Sequence, residues 1–384
     1  MIRLLQDHGK SAAWALILLG AAGAAVSALV APRQFAFSWL AAFLFFLSLS
    51  LGALFMLLAH HLFDAAWSTP IRRLLEHAAC FAFPWLAVLF LPIGFLAGTL
   101  YPSMKQRALF WIVSAFCLGT WALVSHRLRR WSLEQDVAGT ALCARRMRAW
   151  SAAGAMPFAI TITLASAFWI EAVSGAWRSS IYGVWYFAAS AWAAIPSIYL
   201  IAFALRQFGP LRDVLRDRHL YFLGSLSLAF TLFYAYISYS QFFIIWNGNL
   251  PEETSWHLAR AHGGWRTTAW VLILGHFLVP FLLLLRNDWK SNPRLMLPFC
   301  AWAWLMHYSD LQFQMMPPLH PLGPTCSGSD IACLALFAGI FCEVLRRAFQ
   351  NHAPYPVRDP RLAEALGIHA PPTTDIATAP QRSQ

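Results

Sequence analysis

The chain has 384 residues, of which 59% are apolar and 12% charged, with 19 Trp and 30 Phe. Soluble domains carry about 25% charged residues, so this composition excludes a soluble enzyme and a disordered chain and implies a polytopic membrane protein. The formal net charge of +11 then reports topology and attraction to anionic lipid, and no nucleic acid partner is needed to explain it.

Apolar segments of spanning length run over 12–31, 35–60, 79–99, 108–126, 151–174, 180–205, 220–246, 267–286, 295–311 and 329–348. They predict an all-α protein with ten transmembrane helices. The ninth is short and opened by Pro298. With the N-terminus inside, the segments on its side hold 22 of the 28 Lys and Arg and the opposite face holds 6, which puts both termini in the cytoplasm. Arg3 and Lys10 ahead of an apolar run ending in SALVA also fit a cleavable signal, and cleavage would leave nine helices.

In helix two, Ser48 and Gly52 have the spacing that lets helices approach closely, and His60 and His61 end the helix at the inner surface. That pair reads either as snorkelling, solvated imidazoles or as a proton inlet. The following DAAWSTPIRRLLE alternates apolar and basic positions at helical period and is expected to lie along the inner membrane surface. Pro84, Pro92, Pro157, Pro196 and Pro280 fall inside helices three, five, six and eight. So many kinks point to a bundle around a cavity. The inner stretch HRLRRWSLEQDVAGTALCARRMRAW is expected to form a surface helix, and Tyr182, Trp185 and Tyr186 to join an outer aromatic belt.

Helix seven carries the strongest polar signal. Ser227, Thr231, Tyr234, Ser238 and Gln241 recur every three or four residues and share one face. Such a stripe either glues helices together through hydroxyl contacts or lines a hydrophilic path for protons or a quinone head group. The few other ionisable groups at membrane depth are Glu171 near the outer end of helix five, His276 near the middle of helix eight, His307 and Asp310 on one face at the outer end of helix nine, and Glu343 near the inner end of helix ten. Each has a structural alternative: Glu343 has Arg347 one turn away, Asp310 could cap its helix, and His276 could bond a hydroxyl of the stripe. The seven Cys form no CxxC or CxxCH, so no iron-sulfur cluster, covalently attached haem or other metal ligand set is read from the sequence. Cys326 and Cys333 are near enough for an outer disulfide, although packing cysteines are the simpler reading. Residues 1–348 form the transmembrane domain, and the Pro-, Ala- and Thr-rich 349–384 is expected to be a disordered cytoplasmic tail.

The segments LSLSLGALFMLLAHHLFDAAWSTPIRRLLE, FPWLAVLFLPIGFLAG, YISYSQFFIIWNGNLPEETSWHLARAHGGW and HFLVPFLLLLRNDWK together resemble the second large integral-membrane subunit, the ActF-type subunit, of bacterial alternative complex III, within the NrfD-like polysulfide reductase membrane family. The likeness runs from helix two to helix eight. Its most specific part is SQ-x5-N-x-NLPEE-x2-W-x6-GGW, from Ser240 to Trp265. The resemblance implies two four-helix bundles, helices two to five and six to nine, flanked by the first and last helices. It implies a multi-pass subunit of the bacterial inner membrane in a quinol:cytochrome c, or other acceptor, oxidoreductase. Such a subunit holds no redox cofactor itself, and menaquinol or ubiquinol is the candidate ligand. Haem c and iron-sulfur clusters belong to partners: a sister NrfD-like membrane subunit, a periplasmic iron-sulfur subunit and c-type cytochrome subunits. Asn249, Pro251, Glu252, Glu253, Trp256 and Trp265 are then candidates for partner docking. Quinol interaction and proton conduction both stay open, and the alternative from another class is a secondary transporter with a small-molecule site in the bundle. Paired Gly or Pro breaks at matching places in the two halves would favour the transporter, and no such pair is found.

Overall fold

The computed structural model describes residues 2–101, 107–175 and 177–368, and among them the only regular structure is helical. In chain order come α1 (Ile2–Val30), α2 (Pro32–Leu62), α3 (Arg72–Ala79), α4 (Trp85–Phe95), α5 (Arg107–Ala138) and α6 (Ala141–Ala165). These are followed by α7 (Tyr182–Phe208), α8 (Asp217–Gly248), α9 (Pro251–Leu258), α10 (Gly263–Leu272), α11 (Val279–Leu285), α12 (Pro293–Met315), α13 (Gly328–Asn351) and α14 (Arg361–Leu366). Among the described residues, nine helical segments are long and apolar enough to cross a membrane, which makes this an all-α polytopic membrane protein. α12, expected as the ninth of ten spans, has 23 residues but is not one of the nine. Its inward face carries His307, Asp310, Gln312 and Gln314, which lower its mean hydropathy.

α2 is the central post. Every residue from Ala36 to Leu54 is buried, as expected of a helix that is apolar all round. It presses against α7 at Gly52, where a Cβ would stand 2.3 Å from the Ala194 Cβ and 2.5 Å from the Ser190 carbonyl oxygen. The close approach expected from Ser48 and Gly52 is therefore made at the seam between the two expected bundles. α1 lies along α13, where the Gly20 backbone meets Leu336 and the Gly339 backbone meets Ala13. α13 starts on a capping box in which Ser327 and Asp330 satisfy each other's backbone N–H groups. Asp330 also accepts the Ser38 hydroxyl at 2.7 Å and so ties α13 to α2.

Four expectations need correction. The DAAWSTPIRRLLE stretch, 64–76, does not present an amphipathic face at the surface of the protein: the chain is buried from Ser68 to Ala82, with Arg72, Arg73 and Glu76 fully excluded from solvent. Its polar face is absorbed by α5, whose Ser132 and Gln135 accept from Arg72 at 2.9 and 3.0 Å. His60 and His61 are each 1% exposed and so do not snorkel. The stretch expected as a separate surface helix instead prolongs α5 and α6, which meet at Gly139 and Thr140; Gly139 has φ +62°, a conformation that suits glycine. The tail is ordered through residue 368: it folds back under the basic end of the bundle, adds α14 and inserts Asp359 beside Arg72. The rest of the expected disordered tail, 369–384, lies outside the described residues. Cys326 is exposed and Cys333 buried, and both are unpaired thiols.

Candidate functional site

The stripe on α8 divides into two parts. Ser227 and Thr231 turn their hydroxyls back onto the Leu223 and Ser227 carbonyls at 3.0 and 2.7 Å, and Thr231 also accepts the Trp192 indole N–H at 2.9 Å. These two are helix glue. Tyr234 instead reaches across to α12 and donates to Asp310 Oδ2 at 2.7 Å. Ser238 is half-buried beside it, and Gln241 is buried with its amide nitrogen unpartnered.

His276 arrives at the same place through a backbone irregularity. Pro280 has no N–H to give the His276 carbonyl, and a π-turn over Ile273–Leu278 occupies the turn before it. Gly275 lets this widened turn press onto α12. A Cβ there would meet Met306 Sδ at 2.7 Å, and the Gly275 carbonyl accepts the Trp302 indole at 2.7 Å. The His276 ring is thereby sandwiched between Trp192 and Tyr234, with ring centroids 3.8 and 3.9 Å away. Its two nitrogens make no hydrogen bond with any protein side chain or backbone group, so the expected bond to a stripe hydroxyl is not made. His307, whose ring lies 5.5 Å from that of Phe45, likewise has both nitrogens unpartnered. One ligating atom from each of His276, His307 and Asp310 lies within 4.8 Å of the other two. His276 and His307 are 0% exposed and Asp310 1%. The sequence placed these groups at two depths, and the fold joins them in one cluster.

A hydrogen-bonded chain runs from the cluster toward the NLPEE end of the bundle, as far as the buried Tyr182. Asp310 Oδ1 accepts from the Gln314 amide at 3.2 Å, and the Gln314 side-chain carbonyl accepts from the Tyr182 hydroxyl at 2.6 Å. Over it sits Arg260, which donates to the carbonyls of Phe313 and Gln314 at 2.8 Å and of Trp256 at 2.9 Å. Burial pushes the Arg260 guanidinium down to about 9, with Tyr182 opposing the shift. Its carbon lies 3.6 Å from the Trp256 ring centroid, and Trp256 stacks on Trp177. The Trp177 indole donates to the Glu253 carbonyl at 3.0 Å. Of the docking candidates, Trp256 and Trp265 are buried in this chain's own packing, Trp265 with its N–H on the His320 carbonyl at 2.7 Å. Asn249, in a left-handed turn at φ 48°, and Pro251 and Glu252 are exposed, and Glu253 is partly so.

The remaining candidates stay apart from this cluster. Glu171 is buried in a short turn after α6 and is bonded to the Ser179 backbone. Glu343 is clamped by Arg346 at 2.7 and 2.8 Å and by Arg347 at 2.7 Å, an ion pair as its neighbours suggest. At the basic end, His60 Nδ1 lies 2.7 Å from the Ser68 hydroxyl and the two imidazoles of His60 and His61 meet edge to face. They border the network of Arg72, Arg73, Glu76, Asp136 and Asp359. Sequence reading missed Trp192, Gln314 and Arg260, and it put Tyr182, Trp185 and Tyr186 in an outer aromatic belt although all three are buried inside the chain. Two signals were present: Arg260 is one of few cations on its face of the membrane, and Gln314 follows Asp310 by one helical turn.

Fold and site together define a multi-pass helical membrane protein with a buried histidine and aspartate cluster in its core. No known protein-family model matches the chain, and no curated protein matches it.

Proposed function

We propose that this chain is an integral-membrane subunit of a quinol-oxidising electron-transfer complex and that its cluster of Tyr234, His276, His307 and Asp310 handles protons. One observation carries the proton role: two fully buried imidazoles without protein partners stand beside a carboxylate from which hydrogen bonds run through Gln314 to buried Tyr182, toward one end of the bundle. Imidazole changes charge near neutral pH, and ionisable groups inside membrane bundles are the usual components of proton relays. Water can complete the contacts that the ring nitrogens lack.

The apolar cleft of about 380 Å³ between α2, α6 and α7 suits a prenyl or acyl chain better than a quinol head group. Its one hydroxyl, on Thr163, already donates to the Ala159 carbonyl at 2.9 Å. A head group needs polar groups that converge on it, which this cleft lacks; in this reading quinol chemistry belongs to a neighbouring subunit, with haem and iron-sulfur centres in further partners. The exposed Asn249 to Glu252 turn is the face offered to such a partner.

The test is to place wild-type and His276→Phe complexes in sealed vesicles and record electron flux and pH change together. A lower proton-to-electron ratio with electron flux retained is the expected result. Equal ratios in the two would overturn the proton role. Purification without any haem-bearing partner would overturn the complex.

A further inference from the structure

The same three side chains carry a second chemistry that needs no proton movement. We propose that His276, His307 and Asp310 form a binding site for a single divalent transition-metal ion of the zinc class. Two imidazole nitrogens and a carboxylate oxygen are a common zinc-binding set that leaves a fourth position open. Here the three candidate ligand atoms lie within 4.8 Å of one another. Ligand atoms of tetrahedral zinc stand about 3.3 Å apart, so binding closes the separations of up to 4.8 Å by about 1.5 Å at most.

What surrounds the three is also what a metal site requires. Asp310 is oriented by two donors, Tyr234 on Oδ2 at 2.7 Å and Gln314 on Oδ1 at 3.2 Å, and each carboxylate oxygen keeps a lone pair free. The His276 ring plane is fixed by Trp192 and Tyr234 at 3.8 and 3.9 Å, which leaves only its edge, where the nitrogens are, able to bond. Buried polar atoms nearly always have partners, yet four ring nitrogens of two residues that are 0% exposed have none within the protein. Water can bond to one or two of these nitrogens; a cation answers both imidazoles and the carboxylate at once. Oxygen-preferring ions such as Mg²⁺ are excluded by the two nitrogen donors. Neutral imidazole is the form that binds metal, so protons and the metal compete for the same nitrogens. Zinc would then inhibit proton passage if the function proposed above is right. The metal site itself does not rest on that reading.

The experiment uses the full chain purified in mild detergent with whatever subunits accompany it, stripped with a chelator and re-equilibrated with ZnCl₂. Zinc per chain is measured by mass spectrometry, and the zinc-edge X-ray absorption spectrum reports the ligands. The expected result is one zinc per chain with imidazole nitrogen and carboxylate oxygen in its first shell. His276→Phe and Asp310→Asn should lose it. Tyr234→Phe keeps all three ligands but removes the donor that aims Asp310, and should weaken binding about tenfold. Elution volume and helical content establish that each variant is folded. Should the ligand variants fail to fold, the wild-type spectrum decides alone. No stoichiometric zinc, a sulfur-containing shell, or undiminished zinc in folded His276→Phe and Asp310→Asn would overturn the proposal. Zinc binding with unchanged proton-to-electron ratios would leave the metal site standing and remove the proton role.

Discussion

Arg72 and Asp359 are 287 residues apart in sequence and form an ion pair with both side chains wholly excluded from solvent. Arg72 is also ion-paired with Glu76 at 3.2 Å and donates to Ser132 at 2.9 Å and Gln135 at 3.0 Å, while Asp359 is held by Arg361 at 2.9 Å. The pair fastens the C-terminal strap to the basic end of the bundle.

Breaking a buried pair from one side costs about 3–5 kcal/mol, because the surviving charge is left without compensation. Asp359→Ala should fall at the low end, since Glu76 still faces Arg72. The strap should then become sensitive to protease while the bundle keeps its helical content. Burial pushes the Asp359 carboxyl up, but Arg361 and Arg72 outweigh it and hold it below its ordinary value. A depressed carboxyl contributes stability above the unfolded value of about 4 and loses it as pH falls through the lower folded value. Wild-type strap release should therefore begin only in strong acid, and Asp359→Ala should be released already at neutral pH. Limited proteolysis across a pH series reads both.

Arg260 holds the loop end together by donating to three backbone carbonyls from two segments while lying flat on Trp256. Hydrogen bonds from a charged donor contribute about 1.5–3 kcal/mol each, and truncation leaves buried carbonyls unpaired. Arg260→Ala should lower the thermal midpoint clearly. Arg260→Lys should recover little of the loss, because an ammonium cannot reproduce a planar fork reaching three acceptors. Thermal unfolding followed by tryptophan fluorescence, to which Trp256 contributes, checks both variants.

His257 sits on α9 between Trp256 and Phe242. Burial, aided by the Arg260 charge, pushes it down from 6.5 to about 4. The unfolded segment therefore binds more protons than the folded one between these values, so stability rises with pH across that window and is lost as pH falls through it. Hydrogen exchange over residues 251–262, corrected for intrinsic rates, should quicken between about pH 6.5 and pH 4. In His257→Phe the quickening should disappear, and equal behaviour of the two proteins would count against this account.

The membrane class, nearly all the helices and the polar stripe on α8 were determined by the sequence, because apolar length and helical periodicity act locally along the chain. Ser48 and Gly52 announced a close approach that α7 makes. His276, His307 and Asp310 were each conspicuous as ionisable groups at membrane depth. Only the tertiary structure decided that they meet, because the meeting depends on a π-turn before Pro280, on a glycine at 275 that admits Met306 and Trp302, and on the position of α12. Burial of Arg72, Arg73 and Glu76 was hidden for the same reason. Their amphipathic pattern fits a membrane surface equally well until α5 and a strap from the far end of the chain supply the opposite charges. Periodicity specifies which face of a helix is polar, but what that face meets is settled by packing between segments hundreds of residues apart.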